Sequence, residues 1–242
     1  MIQNETRTNG SCSGYHEPEV QAASNDLQAV KERPLMHARA CLELTLHLLL
    51  KEEGDRDLHA LASARLSLSY VSLELRNFDI ALDMAKLVIE QDEKSTTKET
   101  DAKRRMEKRQ AATARMYAAE ASCALGDAAA GMRYLVGDGQ DHAFNRLASE
   151  LGGVTIEVAA TNGKGKARLA KAQSMVRSSA SAASAILGNI GPAKQLAMSA
   201  QAMEDAYSGS RERSTARKAL IYCMLREGNC GAALTLLKTL TQ

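Results

Sequence analysis

The amino-acid sequence predicts an all-α protein, an α-solenoid in which helical hairpins stack side by side. Three observations carry this. Apolar residues recur at amphipathic-helix spacing in run after run. A stop, cap and restart pattern is written four times. The composition suits closely approaching helices, with 45% apolar residues but only 3% aromatic and no Trp. Ala, Leu and Met must then fill the interior, and small side chains on facing surfaces let helix axes approach.

The elements follow in chain order. Residues 1–16 are polar, with Gly10, Gly14 and several Ser and Thr, and are expected to be disordered. Residues 17–242 read as one helical-repeat domain. Val20, Ala23, Leu27 and Val30 form one stripe, and Pro34 is expected to open a second helix that stops at Gly54, making a hairpin of residues 17–53. The clearest hairpin spans 58–92. Leu61, Leu68, Val71 and Leu75 share a face of its first helix, and Phe78, Ala81, Leu82, Ala85 and Val88 line its second after a break at Arg76-Asn77. Further hairpins are expected at 101–136, 166–206 and 211–241. Residues 137–165, with Gly137, Gly139, Gly152, Gly153, Gly163 and Gly165, read as a flexible insertion that the fold should survive losing. Within it VTIEV, residues 154–158, is the one strand-like run.

Four turns share one chemistry. Asn77, Asp127, Asn189 and Asn229 are each expected to cap a second helix through a side-chain oxygen. Gly126, Gly188 and Gly228 precede three of them, as suits a left-handed helix end. Four residues after each cap stands a small residue: Ala81, Gly131, Ala193 or Ala233, with Ala85 and Ala197 one turn further on. That offset is the tetratricopeptide pattern, whose usual period is about 34 residues. Here the caps lie 50, 62 and 40 residues apart, so the repeats are degenerate and have long connectors. A single hairpin cannot bury its apolar face, which is why such repeats stack.

A net charge of +2 with 25% charged residues describes a solvated surface and singles out no polyanionic partner. Five Cys, at 12, 41, 123, 223 and 230, show no paired spacing and point to reduced thiols in an intracellular compartment. The N-terminus lacks the apolar core of a secretory signal, and no run is long enough for a membrane span. NGKGKA at 162–167 lacks the first Gly of a phosphate loop and has Ala167 where Ser or Thr must stand. His37 and Cys41 lie four apart, but no second pair completes a metal site. With no nucleophile, base and acid pattern, no catalytic, cofactor or metal residue and no small-molecule substrate is expected. The basic residues Arg104, Arg105, Lys108 and Arg109 are the candidates for RNA contact, with further runs at Lys164, Lys166, Arg168, Lys171 and at Arg211, Arg213, Arg217, Lys218. Glu99, Asp101 and Glu107 dilute the first run and no aromatic residues are interleaved for stacking, so a solvated helix face is the favoured reading.

Three stretches, LSYVSLELRNFDIALDMAKLVI, RMYAAEASCALGDAAAGMRYL and ALIYCMLREGNCGAALTLLK, occur in this order. They resemble the C-terminal repeats of subunit 10 of the CCR4-NOT deadenylase complex. Tyr70-Val71, Met116 to Ala121, and Gly228-Asn229 with Ala233-Leu234 carry the likeness, which covers residues 60–240. The run Tyr-Ala-Ala-Glu-Ala at 117–121 is its most specific part. Family members are usually longer, with further N-terminal repeats. The resemblance implies a non-catalytic scaffold subunit that binds the N-terminal region of the complex's large scaffold subunit alongside subunit 11. Its setting would be mRNA deadenylation and translational repression, in the cytoplasm and also the nucleus. Two other readings stay open: a generic tetratricopeptide adaptor such as a chaperone cofactor, and direct RNA binding. A carboxylate-clamp adaptor needs Lys and Asn on the inner faces of successive first helices, where the first clear hairpin has Leu66 and Tyr70.

Overall fold

The computed structural model describes residues 17–51, 57–95, 101–136, 141–154, 159, 162–207 and 215–240. Among them are ten helices and no strand: α1 (Glu17–Lys51), α2 (Leu58–Glu74), α3 (Phe78–Lys94), α4 (Asp101–Ala124), α5 (Ala128–Val136), α6 (Asp141–Gly152), α7 (Gly163–Ile186), α8 (Ile190–Tyr207), α9 (Thr215–Arg226) and α10 (Cys230–Leu240). The chain is all-α, as its periodicity predicts. No helix among the described residues is long and apolar enough to cross a membrane.

The four turns expected from the sequence are built alike. Each first helix ends in a left-handed residue: Arg76 at φ +60°, Gly126 at +90°, Gly188 at +85° and Gly228 at +75°. That residue donates its N–H three residues back, and the following cap residue donates five back. Asn77 reaches Ser72, Asp127 reaches Ser122, Asn189 reaches Ser184 and Asn229 reaches Met224, at 2.8–2.9 Å. This paired closure satisfies carbonyls that the helix end would otherwise orphan. The second helix then starts at once, with the small residue donating to the cap carbonyl: Ala81 to Asn77, Gly131 to Asp127, Ala193 to Asn189 and Ala233 to Asn229. Side-chain capping is less uniform. Asp127 accepts from Ala130 N–H at 2.8 Å and Asn229 from Ala232 N–H at 3.3 Å, whereas the Asn77 side chain makes no capping bond.

Packing follows chain order. α1, α2, α3, α4 and α5 each lie on the next helix, and α2 also lies on α4. α4 further contacts α6 and α7, α7 contacts α8 and α9, and α10 rests on α9. The first helices of the four hairpins, α2, α4, α7 and α9, therefore touch in succession. One small cluster recurs at their junctions. Leu73 and Ala81 of the α2–α3 hairpin close on Ala121 of α4, and Ala185 and Ala193 of the α7–α8 hairpin close on Cys223 of α9. The members hold the same offsets from their caps, four before, four after, and six before the next cap. Ala81, Ala121, Ala185, Ala193 and Cys223 are fully buried. Two serines tie the helices of a hairpin together, Ser69 donating to the Ala81 carbonyl at 2.8 Å and Ser181 to the Ala193 carbonyl at 2.7 Å. A buried hydroxyl is tolerated because it has an acceptor.

Two expectations are corrected here. Residues 17–53 are not a hairpin: Glu17–Lys51 is one continuous helix with Pro34 inside it. Lys31, Glu32 and Arg33 are good helix formers with no Gly or Asn to reverse the chain. Proline removes one helix hydrogen bond without supplying a turn. Residues 137–165 are not wholly a flexible insertion either. α6 occupies 141–152, and its Leu147 and Ala148 are buried against Met116 of α4, Leu135 of α5 and Val176 of α7 in the largest core cluster. Phe144, Leu147, Ala148 and Leu151 have the i, i+3, i+4, i+7 spacing of a buried helical stripe. Residues 1–16 and most of the strand-like run, 155–158, lie outside the described residues.

Candidate protein-interaction groove

The row of first helices leaves one face open. Residues seven before each cap share a register on it: Glu120 of α4, Ala182 of α7 and Tyr222 of α9 line a common cavity, and Tyr70 of α2 is their counterpart. The cavity holds about 290 Å³, and Ser178, Thr215 and Lys218 add to its walls. These residues hold one register because each first helix ends in a turn of the same build.

At the α2–α4 end the groove is aromatic and acidic. The rings of Tyr70 and Tyr117 lie 6.1 Å apart, centroid to centroid, tilted by 37°, within the range of favourable ring pairs. Glu74 sits one turn after Tyr70 and raises the pKa of its hydroxyl, with burial adding to the effect. Burial is the main cause of the rise at Tyr117, followed by the charges around it. Glu120 reaches solvent, yet the protein that rises around it displaces much of its water. That desolvation, together with the Glu74 charge, raises its carboxyl above the ordinary carboxylate range. Beneath it, burial first and then Glu120 and Asp127 push up the Cys123 thiol, so this cysteine is a packing residue rather than a reactive thiolate.

The residues singled out from sequence fall in two groups. Asn77, Asp127, Asn189 and Asn229 stand at the turns, and Ala81, Ala85, Gly131, Ala193 and Ala233 are buried between helices. At Gly131 a Cβ would lie 2.6 Å from the Cys123 sulfur and 3.0 Å from the Ala119 carbonyl oxygen, which explains the glycine. The basic run on α4 is not one free surface. Arg104 is held by Asp92 and Glu107, each at 3.0 Å, and its pKa is raised chiefly by the bond to Glu107, while Arg105, Lys108 and Arg109 are exposed. Lys164, Lys166, Arg168 and Lys171 are exposed on α7, Arg217 pairs with Asp205, and Arg211 and Arg213 lie outside the described residues. NGKGKA is a helix start, with the Asn162 side chain accepting from Lys164 N–H at 3.0 Å. No group of three or more His, Cys, Asp or Glu among the described residues is placed to hold a metal ion.

Sequence reasoning missed Glu74, Tyr117 and Glu120 as groove residues. The usable signal was the register: the residue seven before each cap recurs on one face, and Tyr117 lies one turn before Glu120.

By fold the protein is all-α, with neighbouring helices packed on one another and four helical hairpins closed by turns of similar build. No protein-family model matches the chain, and comparison with curated proteins and with solved structures likewise finds no match.

Proposed function

We propose that the protein is a non-catalytic interaction scaffold, an α-solenoid of tetratricopeptide-like hairpins whose row of first helices receives segments of partner proteins. The observation that carries this is the repeated register: turns of one construction bring successive first helices into contact, and the residues seven before three of the caps, Glu120, Ala182 and Tyr222, line one cavity. Stacked hairpins of this kind offer extended surfaces for peptides and helices. The finer reading rests on the three sequence stretches alone. They point to the role of subunit 10 of the CCR4-NOT deadenylase complex: binding the N-terminal region of the large scaffold subunit together with subunit 11, in mRNA deadenylation.

The chaperone-cofactor alternative has less support. A groove whose first positions are Tyr70, Glu74 and Glu120 repels the terminal carboxylate that a clamp adaptor must seat. Affinity purification of the tagged protein from its own cells, read by mass spectrometry, tests the finer reading. Recovery of the large deadenylase scaffold with subunit 11 is the expected result, and its absence among reproducible partners sinks that assignment.

A further inference from the structure

We infer that the α2–α4 end of the groove binds a basic segment of a partner protein, seating a Lys or Arg side chain against Tyr70 and Tyr117 and beside the carboxylates of Glu74 and Glu120. The inference rests on the reading of the chain as an interaction scaffold and adds the chemistry of its partner.

Two kinds of observation converge on a cation. The first is geometric: two tyrosine rings 6.1 Å apart stand on adjacent first helices, and Tyr70 is 47% exposed. Aromatic faces attract ammonium and guanidinium groups placed over them. The second is charge. Glu74 and Glu120 lie near enough for the charge of one to act on the other, and no cation among the described residues pairs with Glu120. Glu120, which lines the cavity and loses part of its water while facing the Glu74 charge, is relieved by a positive group placed beside it. An arginine satisfies both at once, because its planar guanidinium stacks on a ring while its edge forks to a carboxylate. Further along, Ala182 and Tyr222 leave an apolar floor and Lys218 supplies the groove's positive charge. A segment with its basic residue over α2 and α4, and apolar residues running toward α9, matches this polarity.

The test is selection of short random peptides, displayed on phage, against the immobilised full chain. Enriched peptides are expected to carry Arg or Lys beside an apolar residue. They should bind Glu74→Gln/Glu120→Gln and, separately, Tyr70→Ala roughly tenfold more weakly, as loss of a charge-assisted contact implies. Melting curves of the variants establish that they remain folded; both sites are solvent-reached. Enrichment of acidic or purely apolar peptides, or undiminished binding to folded variants, overturns this inference and leaves the scaffold reading standing. Failure to enrich any peptide overturns the scaffold reading itself.

Discussion

In the α2–α3 hairpin the residue before the cap is Arg76, held at φ +60°, whereas the α4–α5 hairpin has Gly126 there at φ +90°. The closures around them are the same: Arg76 and Gly126 donate to carbonyls three back, and Asn77 and Asp127 to carbonyls five back. An L-residue in this region costs about 1–2 kcal/mol, so the turn is imposed by helix pairing and not chosen by Arg76. The two hairpins also differ in their seams. Ser69 bonds across to the Ala81 carbonyl in the first. In the second, Ala119 replaces the serine and Gly131 replaces the alanine, leaving no room for another carbon. One seam is held by a hydroxyl, the other by closeness. Hairpin geometry is conserved within the molecule while the means of holding it vary.

Seven substitutions would sharpen or break that comparison. The largest effect is expected outside both seams, at α6, which buttresses the second hairpin and not the first. Leu147→Ala should cost about 2–5 kcal/mol by leaving a cavity among α4, α5 and α7. Denaturant unfolding showing no loss would return residues 137–165 to the status of a dispensable insertion. Next, Gly131→Ala should cost about 1–3 kcal/mol by overpacking against the Cys123 sulfur and the Ala119 carbonyl. A neutral result would mean the α4–α5 seam has slack.

The turn residues come third. Arg76→Gly should stabilise the chain by about 1 kcal/mol through release of the left-handed penalty, and Gly126→Ala should destabilise it by a similar amount. Equal and opposite shifts in melting temperature would show that the turns share one geometry; a loss at both sites would show that Arg76 has a role in contacts. At the caps, Asp127→Ala should cost about 1 kcal/mol and Asn77→Ala less, because the Asp127 side chain holds the Ala130 N–H and the Asn77 side chain holds none.

The smallest effect separates the groove from the frame. Because the folded state raises the Glu120 pKa, it binds a proton more readily than the unfolded chain. Stability should therefore fall as pH rises from the ordinary carboxylate range to the raised value. Glu120→Gln should melt slightly higher than the parent near neutral pH and alike in acid. Melting curves that stay parallel across this range would mean that Glu120 is as well hydrated as a free carboxylate.

The turns were legible because their signals are local: Gly-Asn and Gly-Asp pairs, and a small residue four positions on, specify a stop and a restart without reference to the rest of the chain. Arg76 was legible only by position, since nothing about arginine announces a left-handed backbone. α6 was hidden by its surroundings. The glycines around Phe144, Leu147, Ala148 and Leu151 suggested a loop, although the four apolar positions already formed a helical stripe. Pro34 alone suggests a break within residues 17–53, but no turn residue accompanies it and the helix runs through. The Tyr70, Tyr117, Glu74 and Glu120 cluster is a tertiary product. Its members come from α2 and α4, with α3 between them in the chain, and their proximity depends on how α2 settles on α4.

The order of contacts along the chain also sets how the molecule comes apart. α10 rests on α9, and its Leu234 and Leu237 stay 53% and 46% exposed. Among the described residues α2 and α3 make no extensive contact with α9 or α10, so their packing does not oblige the two ends to melt together. Loss of order should begin at α10 and advance hairpin by hairpin, with amide protons exchanging earliest there and latest in the block of α4, α6 and α7, where the largest core cluster lies. Such a chain behaves less like a lock than like a zip.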